Sequence, residues 1–469
     1  MDTVDRDVLD EWAAVNGLDS SSLIALMCAV MRGLVTPNYE LSDHGGVLPP
    51  PPCHVGLVDE NMTARSMLDR LLGPPHAIQR ILVKRFSKVD AKYLKLAWTG
   101  SCREGPGPGN SVSDDRRSRE YHGKLVEEAE RRFHSPLNEQ MKCLDMVDNF
   151  EALSRIELIV RHRFVIENVC AGGIATELAQ CHRATGLLVG GDSLRIGALD
   201  RKDVREIEKV LAGLRVPVPS IFAGANPKAT EPASATLLLQ GSASEWHDPM
   251  VAGLREEFLL LRPRSVDFPD NPDLGALEKA LETWSNLVKR LIDLRRWGMS
   301  GAASLADWET SNEFAKRHQG YLGECSENRI RARSVRELPR MIAWLLISFF
   351  ESMHRDLVVD RAFRHAEILR DGHLAVMEGM KRQSELNRII LLASKLHDRI
   401  NRKQPITLRN LVRSFDDQKT EVYLPTLELM LKAGVIVEES TRKYRLGGET
   451  DLEGSLRRVF TEARLRIVA

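Results

Sequence analysis

Short apolar runs alternate with helical stretches through the middle of the chain. Helical periodicity separates the runs, for example over Lys202–Leu211. Apolar strands that alternate with helices favour a parallel sheet covered on both faces. The pattern therefore predicts an α/β fold for this part of the protein. The runs that predict strands are Tyr93–Trp98, Phe164–Ile166, Gly186–Val189, Ala235–Gln240 and Phe258–Leu261.

Outside this region the hydrophobic spacing is helical, apart from a proline-rich stretch near the N-terminus. Four consecutive prolines, Pro49–Pro52, cannot continue a helix and indicate a linker or extended arm. From Leu274 onward leucines and tryptophans recur at helical spacing, which predicts a bundle. The expected organisation is a helical unit at 1–42, a linker at 43–63, the α/β domain at 64–270, a helical bundle at 271–382 and a further domain at 383–469.

The last of these domains has the pattern of a winged helix-turn-helix. An apolar stripe over Ser384–Arg402 is followed by a short helix that Thr407 can cap. A polar turn then leads to a second helix over Val422–Lys432, after which two short apolar runs predict a β-hairpin. Helix, turn, helix and hairpin in this order indicate a module that usually binds DNA.

Basic and polar residues of this module are the candidate contacts to nucleic acid, because phosphate charge dominates such binding. Winged helices also dock proteins, and Glu421 and Glu428 would repel phosphate, so both readings stay open. The candidate nucleic-acid-binding residues are Lys419, Thr420, Tyr423, Thr426, Lys432, Arg442 and Lys443.

Composition narrows the possible partners. Lysine plus arginine equals aspartate plus glutamate at 66 each, so the chain is not built mainly to coat nucleic acid. The seven cysteines include no CxxC pair, and no cysteine or histidine cluster has zinc-ligand spacing. We expect a soluble, cytoplasmic protein with free thiols and no metal, since there is no signal-peptide layout and the longest apolar run, Met341–Phe350, is too short to cross a membrane.

The segment Arg163–Ser193 resembles helicase-like P-loop proteins that accompany primases on mobile elements and are known as a domain of unknown function. The resemblance rests on a strand at Phe164–Asn168, a helix opened by Thr176 and Glu177, and an apolar strand at Leu187–Asp192. It continues through Thr236–Ser242, where the family has a strand with a polar sensor, and covers about residues 90 to 375. It implies a P-loop NTPase-like sheet, with ATP and Mg²⁺ as cofactors only if the site is functional.

The chain departs from that family at the residues that perform catalysis. No GK[ST] sequence occurs, and the candidate phosphate loop has Asn110 where a lysine is needed. Only Asp192 stands where an acidic pair is expected, and Glu257 replaces an arginine near the fifth strand. Asp192 is the catalytic residue if the site is active. The candidate nucleotide-binding residues are Gly105, Gly107, Gly109, Asn110, Ser111, Gln240 and Arg255.

The sequence leaves three alternative functions open. The first is a non-catalytic or weakly catalytic helicase-like protein that binds nucleic acid in replication, transposition or defence of a mobile element. The second is an active, divergent NTPase in which Lys95, Arg103 or Lys124 replaces the missing lysine. The third is an adaptor that contacts only protein, because a scaffold alone does not fix an activity.

Overall fold

A computed structural model describes most of the chain, which divides into two compact units, 1–376 and 377–469. One helix, Arg355–Arg402, contains the boundary between them. The described residues are 4–35, 41–43, 46–48, 50–59, 64–86, 161–169, 173–191, 194–218, 229–263, 266–267, 272–297, 303–304, 310–350, 355–413, 420–440 and 442–468.

A five-stranded parallel sheet forms the centre of the first unit. The order of its strands across the sheet is β2-β3-β4-β1-β5, so the first strand lies between the fourth and the fifth. The α/β fold expected from the sequence is confirmed at this level. The strands are β1 (His54–Val58), β2 (Val165–Ile166), β3 (Thr185–Val189), β4 (Ser234–Gly241) and β5 (Phe258–Leu261).

Strand β1 lies within the stretch that the prolines suggested was a linker, 43–63. All five residues of His54–Val58 are buried, and the strand pairs with β4 on one side and β5 on the other. Strands buried on both faces lack the polar–apolar alternation that identifies a half-exposed strand. A short apolar run directly after four prolines therefore gave too weak a signal.

Helix Ser20–Leu34 packs against one face of the sheet. Asp19 caps this helix, because its carboxylate accepts the backbone N–H of Ser22 at 3.0 Å. Near the other end, an added Cβ on Gly33 would stand 2.6 Å from the Cβ of Leu187 in β3. Only a residue without a side chain permits this close approach of helix and strand. The N-terminal helices therefore belong to the core of the first unit.

Trp246 packs at Gly56 of β1. An added Cβ on Gly56 would stand 2.6 Å from a ring carbon of Trp246. The indole N–H donates to the carbonyl of Leu57 at 3.1 Å, so the buried ring leaves no unpaired donor there.

Side chains cover both edges of the sheet. At β2, Gln79 Oε1 accepts the backbone N–H groups of Phe164 (2.7 Å) and Val165 (3.1 Å). At β5, the backbone N–H of Leu260 donates to Nδ1 of His373, 3.0 Å away on helix Arg355–Arg402. Edge strands otherwise present unpaired backbone groups to solvent.

Helices make up most of the rest of the first unit. Residues Arg65–Phe86 form one helix. Further helices are Val4–Val15, Gly173–Ala179, Arg201–Leu211, Ala243–His247, Ala252–Arg255, Leu274–Trp297, Thr310–Glu327, Arg333–Arg336 and Leu338–Phe349. Single 3-10 turns are His182–Ala184, Ile196–Ala198 and Pro249–Val251. The minor strands are Leu41–Asp43, Gly46–Leu48, Arg215–Pro217, Thr230–Pro232 and Ala303–Ser304.

The second unit combines helices with a small antiparallel sheet. The end of helix Arg355–Arg402 packs its Ala393, Leu396 and Ile400 into the core of this unit. In the sheet, strand Lys443–Leu446 lies between the other two strands. The further elements of this unit are strand Ile406–Thr407, helix Leu408–Arg413, helix Thr420–Lys432, strand Ile436–Ser440, strand Lys443–Leu446 and helix Leu452–Val468.

Within the described ranges, none of the helices combines the length and the apolar character that a membrane crossing requires.

Candidate functional site

The carboxyl ends of β1, β3 and β4 form the first candidate site. Open parallel α/β sheets bind their ligands at this edge. The glycine-rich segment with Gly105, Gly107, Gly109, Asn110 and Ser111 was expected here, but it lies outside the described residues, as do Asp192, Lys95, Arg103 and Lys124.

Asp59 follows β1 directly and is 8% exposed. Its Oδ2 accepts the backbone N–H of Ala64 at 3.0 Å, immediately before helix Arg65–Phe86 begins. A carboxylate at this position satisfies one of the unpaired N–H groups of the helix and interacts favourably with the helix dipole. The same N–H groups would otherwise be available to a phosphate. The protein therefore supplies its own anion at the helix start.

Of the two described residues that were predicted to bind nucleotide, Gln240 is the one that lies beside Asp59. It lies near the carboxyl end of β4 and is 7% exposed. Its Nε2 is 3.5 Å from the carbonyl oxygen of Asp59, and the N–H of Asp59 donates to the carbonyl oxygen of Gly241 at 3.2 Å. The side chain of Gln240 therefore contacts the backbone at the end of β1.

Nη1 of Arg255, also predicted to bind nucleotide, donates to the carbonyl of Trp246 at 2.7 Å, where helix Ala243–His247 ends. Burial is the main cause of the lowered pKa of this guanidinium. Of the threonine–glutamate pair, Glu177 is buried and forms an ion pair with Arg163.

Sequence reasoning missed Asp59 and Arg65. Counted from Asp59, the sequence places Ala64, Arg65 and Ser66 at the spacing at which a phosphate-binding loop has its second glycine, lysine and hydroxyl residue. Arg65 Nε lies 3.1 Å from Asp69 Oδ1, one helical turn along. The available signal was a basic residue followed by serine just after a short apolar run, but neither glycine of the motif is present.

The two glycines that follow β3, Gly190 and Gly191, leave little room for side chains. A Cβ on Gly190 would stand 3.1 Å from the backbone nitrogen of Gln240. A Cβ on Gly191 would overlap the carbonyl oxygen of Glu167 at 2.4 Å. The two residues that follow Val189 are therefore glycines for steric reasons.

No protein-family model, curated protein or solved structure matches this chain. The candidate sites therefore rest on their own geometry. In the described part of the chain, His, Cys, Asp and Glu side chains form no group of three or more that could hold a metal ion.

The second candidate site lies in the C-terminal unit. Tyr423 and Thr426 were expected to contact nucleic acid, and the structure contradicts this for both residues. Each is 2% exposed, because this face of helix Thr420–Lys432 packs into the core of the unit with Leu427 and Met430. Lys432 is exposed, whereas Lys419 and the side chain of Thr420 lie outside the described residues.

Arg442 and Lys443, two of the candidate nucleic-acid-binding residues, lie at the turn of the hairpin and are exposed. The N–H of Leu408 donates to the carbonyl of Arg442 at 2.9 Å, and Thr407 is paired with Lys443. The start of helix Leu408–Arg413, with exposed Arg409, therefore runs beside the hairpin turn. We refer to Arg409, Arg442 and Lys443 as the basic hairpin cluster.

The acidic residues of the hairpin have partners within it. Glu438 accepts the backbone N–H of Arg442, and Glu439 lies 3.6 Å from Arg445. Among the described residues, no ion pair engages the side chains of the basic hairpin cluster. Its three positive charges therefore face solvent, where a polyanion can reach them.

Proposed function

We propose that the protein binds DNA through its C-terminal unit and that its sheet is a P-loop NTPase-like fold without hydrolytic activity. By its resemblance to helicase-like proteins that accompany primases, it would serve replication, transposition or defence of a mobile element. The observation that carries the proposal is the basic hairpin cluster, Arg409, Arg442 and Lys443, whose charges face solvent.

The order of the strands supports the P-loop NTPase-like fold. The sheet is all parallel, and β2, helix Gly173–Ala179, β3 and β4 follow one another as the resemblance implies. Gln240 near the end of β4 matches the position of the family's polar sensor. Helix Arg65–Phe86 follows β1, as the helix after a phosphate loop would.

Two features argue against hydrolysis at this edge of the sheet. The carboxylate of Asp59 accepts the N–H of Ala64 directly before the helix, where a phosphate would need bare N–H groups. Ser193 stands beside Asp192 where a catalytic glutamate would be expected, so the sequence supplies one acid there instead of two to hold magnesium and activate water.

The order of helices and strands in the C-terminal unit supports the proposal of a winged helix. The end of helix Arg355–Arg402, helix Leu408–Arg413 and helix Thr420–Lys432 supply the three helices, and the hairpin Ile436–Leu446 supplies the wing. Basic wing residues contact phosphates in such modules.

Protein docking is the second candidate function. Helix Thr420–Lys432 exposes Leu424 at 37% together with Glu428, a combination that suits a protein surface better than a phosphate backbone. This function predicts binding to a protein partner and no salt-sensitive binding of DNA.

The test measures binding of the full chain to labelled duplex and single-stranded DNA across a salt series, with and without ATP and Mg²⁺. We expect affinity that falls steeply with salt and does not change with ATP, because cations on phosphates release counterions. Release of phosphate from ATP is measured in the same samples, with an Asp192→Ala variant beside the unmodified chain.

The outcomes separate the three functions. Salt-dependent binding without phosphate release supports the proposal. Release of phosphate that is lost in Asp192→Ala would establish the divergent NTPase, and absence of binding at low salt would leave the protein adaptor.

A further inference from the structure

From Tyr423 to Lys432, the part of helix Thr420–Lys432 whose side chains the structure describes, the solvent-facing side is poor in groups that read bases. From Tyr423 onward its exposed residues are Leu424, Pro425, Glu428 and Lys432, which share one side of the helix. Leucine and proline side chains have no hydrogen-bonding groups, and a carboxylate only accepts hydrogen bonds and repels phosphate. Direct readout in the major groove needs donors and acceptors aimed at base edges.

The inward face of the same helix is committed to the core. Tyr423 and Thr426, the two residues there with hydrogen-bonding side chains, are 2% exposed and cannot turn outward without opening the packing around Leu427 and Met430. Between Tyr423 and Lys432, therefore, the helix carries one exposed cation and one exposed carboxylate, and their charges offset each other.

The hairpin has the opposite character. The carboxylates of Glu438 and Glu439 are engaged within the hairpin, by the N–H of Arg442 and by Arg445. Arg409, Arg442 and Lys443 leave three exposed positive charges beside one turn. Arginine and lysine side chains that contact the phosphate backbone position a protein on nucleic acid, and those contacts carry no sequence information.

We propose that the basic hairpin cluster binds the phosphate backbone of duplex DNA irrespective of sequence, and that helix Thr420–Lys432 does not read bases from Tyr423 onward. This inference rests on the proposed function, since it names how the same unit would contact DNA. It assigns Arg409, a residue outside the sequence-based candidates, to the contact surface. It predicts that the protein binds duplex DNA through its phosphate charge and without sequence preference.

The first experiment compares two matched triple variants of the full chain. One removes the cluster: Arg409→Ala, Arg442→Ala and Lys443→Ala. The other removes three charges elsewhere in the same unit: Lys381→Ala, Arg382→Ala and Arg457→Ala, two of which form helical ion pairs with Glu378 and Glu453. Both variants have the same net charge, and circular dichroism establishes that both are folded.

We expect the cluster variant to bind duplex DNA more weakly. The slope of log affinity against log salt should become less negative by about three, since each of the three lost phosphate contacts contributes about −0.9. The control variant should keep the slope of the unmodified chain. Equal losses in both variants, or an unchanged slope in the cluster variant, would overturn the assignment to the hairpin.

The second experiment tests sequence independence. The unmodified chain selects from a random duplex pool, and the bound fraction is sequenced. We expect no enriched motif. A motif that disappears in a Lys419→Ala, Thr420→Ala variant would overturn the inference, because the start of the helix would then read bases.

Different results would overturn the proposed function and this inference. Absence of binding to every nucleic acid removes the proposed function itself. Binding to single-stranded DNA or duplex RNA without binding to duplex DNA, or binding to duplex DNA with a selected motif, retains a nucleic-acid function and removes only this inference.

Discussion

Charged side chains lie at the carboxyl edge of the sheet and in the basic hairpin cluster. At the sheet edge the charged group has a hydrogen-bonding partner inside the protein, whereas in the cluster the charges face solvent. Asp59 bonds to Ala64 at the start of the next helix. Arg409, Arg442 and Lys443 point to solvent. A charge that is satisfied inside the molecule stabilises the fold, whereas a charge left in solvent remains available to a ligand. The comparison therefore associates the sheet with stability and the hairpin with binding.

Low pH should have the largest effect, because it should destabilise the unit that contains the sheet and leave the charges of the hairpin cluster unchanged. Burial lowers the pKa of His54 to about 3 and those of His365 and His373 to about 4. Nδ1 of His373 accepts the N–H of Leu260 and has no place for a proton. Because these pKa values are lower in the folded protein, stability is complete above about pH 6.5 and is lost as the pH falls toward 4.

Each buried histidine should cost about 1 kcal/mol at pH 5.5 and up to about 3 kcal/mol near pH 4. Urea unfolding at pH 7.5, 6.5 and 5.5 measures the loss for the full chain and for His373→Gln, which should depend less on pH. DNA binding at pH 5.5 should persist, since arginine and lysine keep their charges. Stability that does not change between pH 7.5 and 5.5 would contradict the burial of these histidines as neutral groups.

A single methyl group in the sheet unit should have the next largest effect. Gly33→Ala places a Cβ 2.6 Å from Leu187 and should cost about 2 kcal/mol by overpacking. Gly320→Ala makes the same change in helix Thr310–Glu327, where nothing lies within 4 Å, and should add up to about 1 kcal/mol. Unfolding midpoints in urea measure both. Neither change should alter the slope of log affinity for DNA against log salt. A changed slope in the Gly33→Ala variant would contradict the separation of the sheet from the binding surface.

The loss of the cap at Asp59 should be the smallest effect. Asp59→Ala removes the acceptor of the Ala64 N–H and should cost about 1 kcal/mol. Asp59→Asn keeps an oxygen at the same place and should cost less, since asparagine caps helices as well as aspartate does. Thermal unfolding of both variants provides the measurement. Equal stability of the alanine variant and the unmodified chain would show that the carboxylate does not hold the helix start.

The expectations from sequence succeeded where burial alone decides the structure. The runs Gly186–Val189, Ala235–Gln240 and Phe258–Leu261 became β3, β4 and β5 because apolar β-branched and leucine-rich segments between helices have few other ways to be buried. The helix at Thr420–Lys432 and the hairpin after it were expected for the same reason. Their charges and spacing did not reveal which residues face inward.

The site was less predictable because its decisive features are tertiary. Tyr423 and Thr426 have polar atoms and suit a binding surface in the sequence, but three-dimensional packing buries them. Asp59 took its role from the position of β1 between β4 and β5, a pairing over long sequence distances that no local pattern specifies. The spacing of Arg65 and Ser66 after Asp59 was also hard to notice in the sequence, since phosphate motifs are found by their glycines and neither glycine is present there.

The covered edges of the sheet have a consequence for how this chain behaves among its own copies. Gln79 takes the outward backbone groups of Phe164 and Val165, and His373 takes that of Leu260. A strand edge occupied in this way offers no template on which another chain can add a strand. Protonated His373 cannot accept the N–H of Leu260, so acid would remove this contact and leave a backbone donor of the edge strand without its partner.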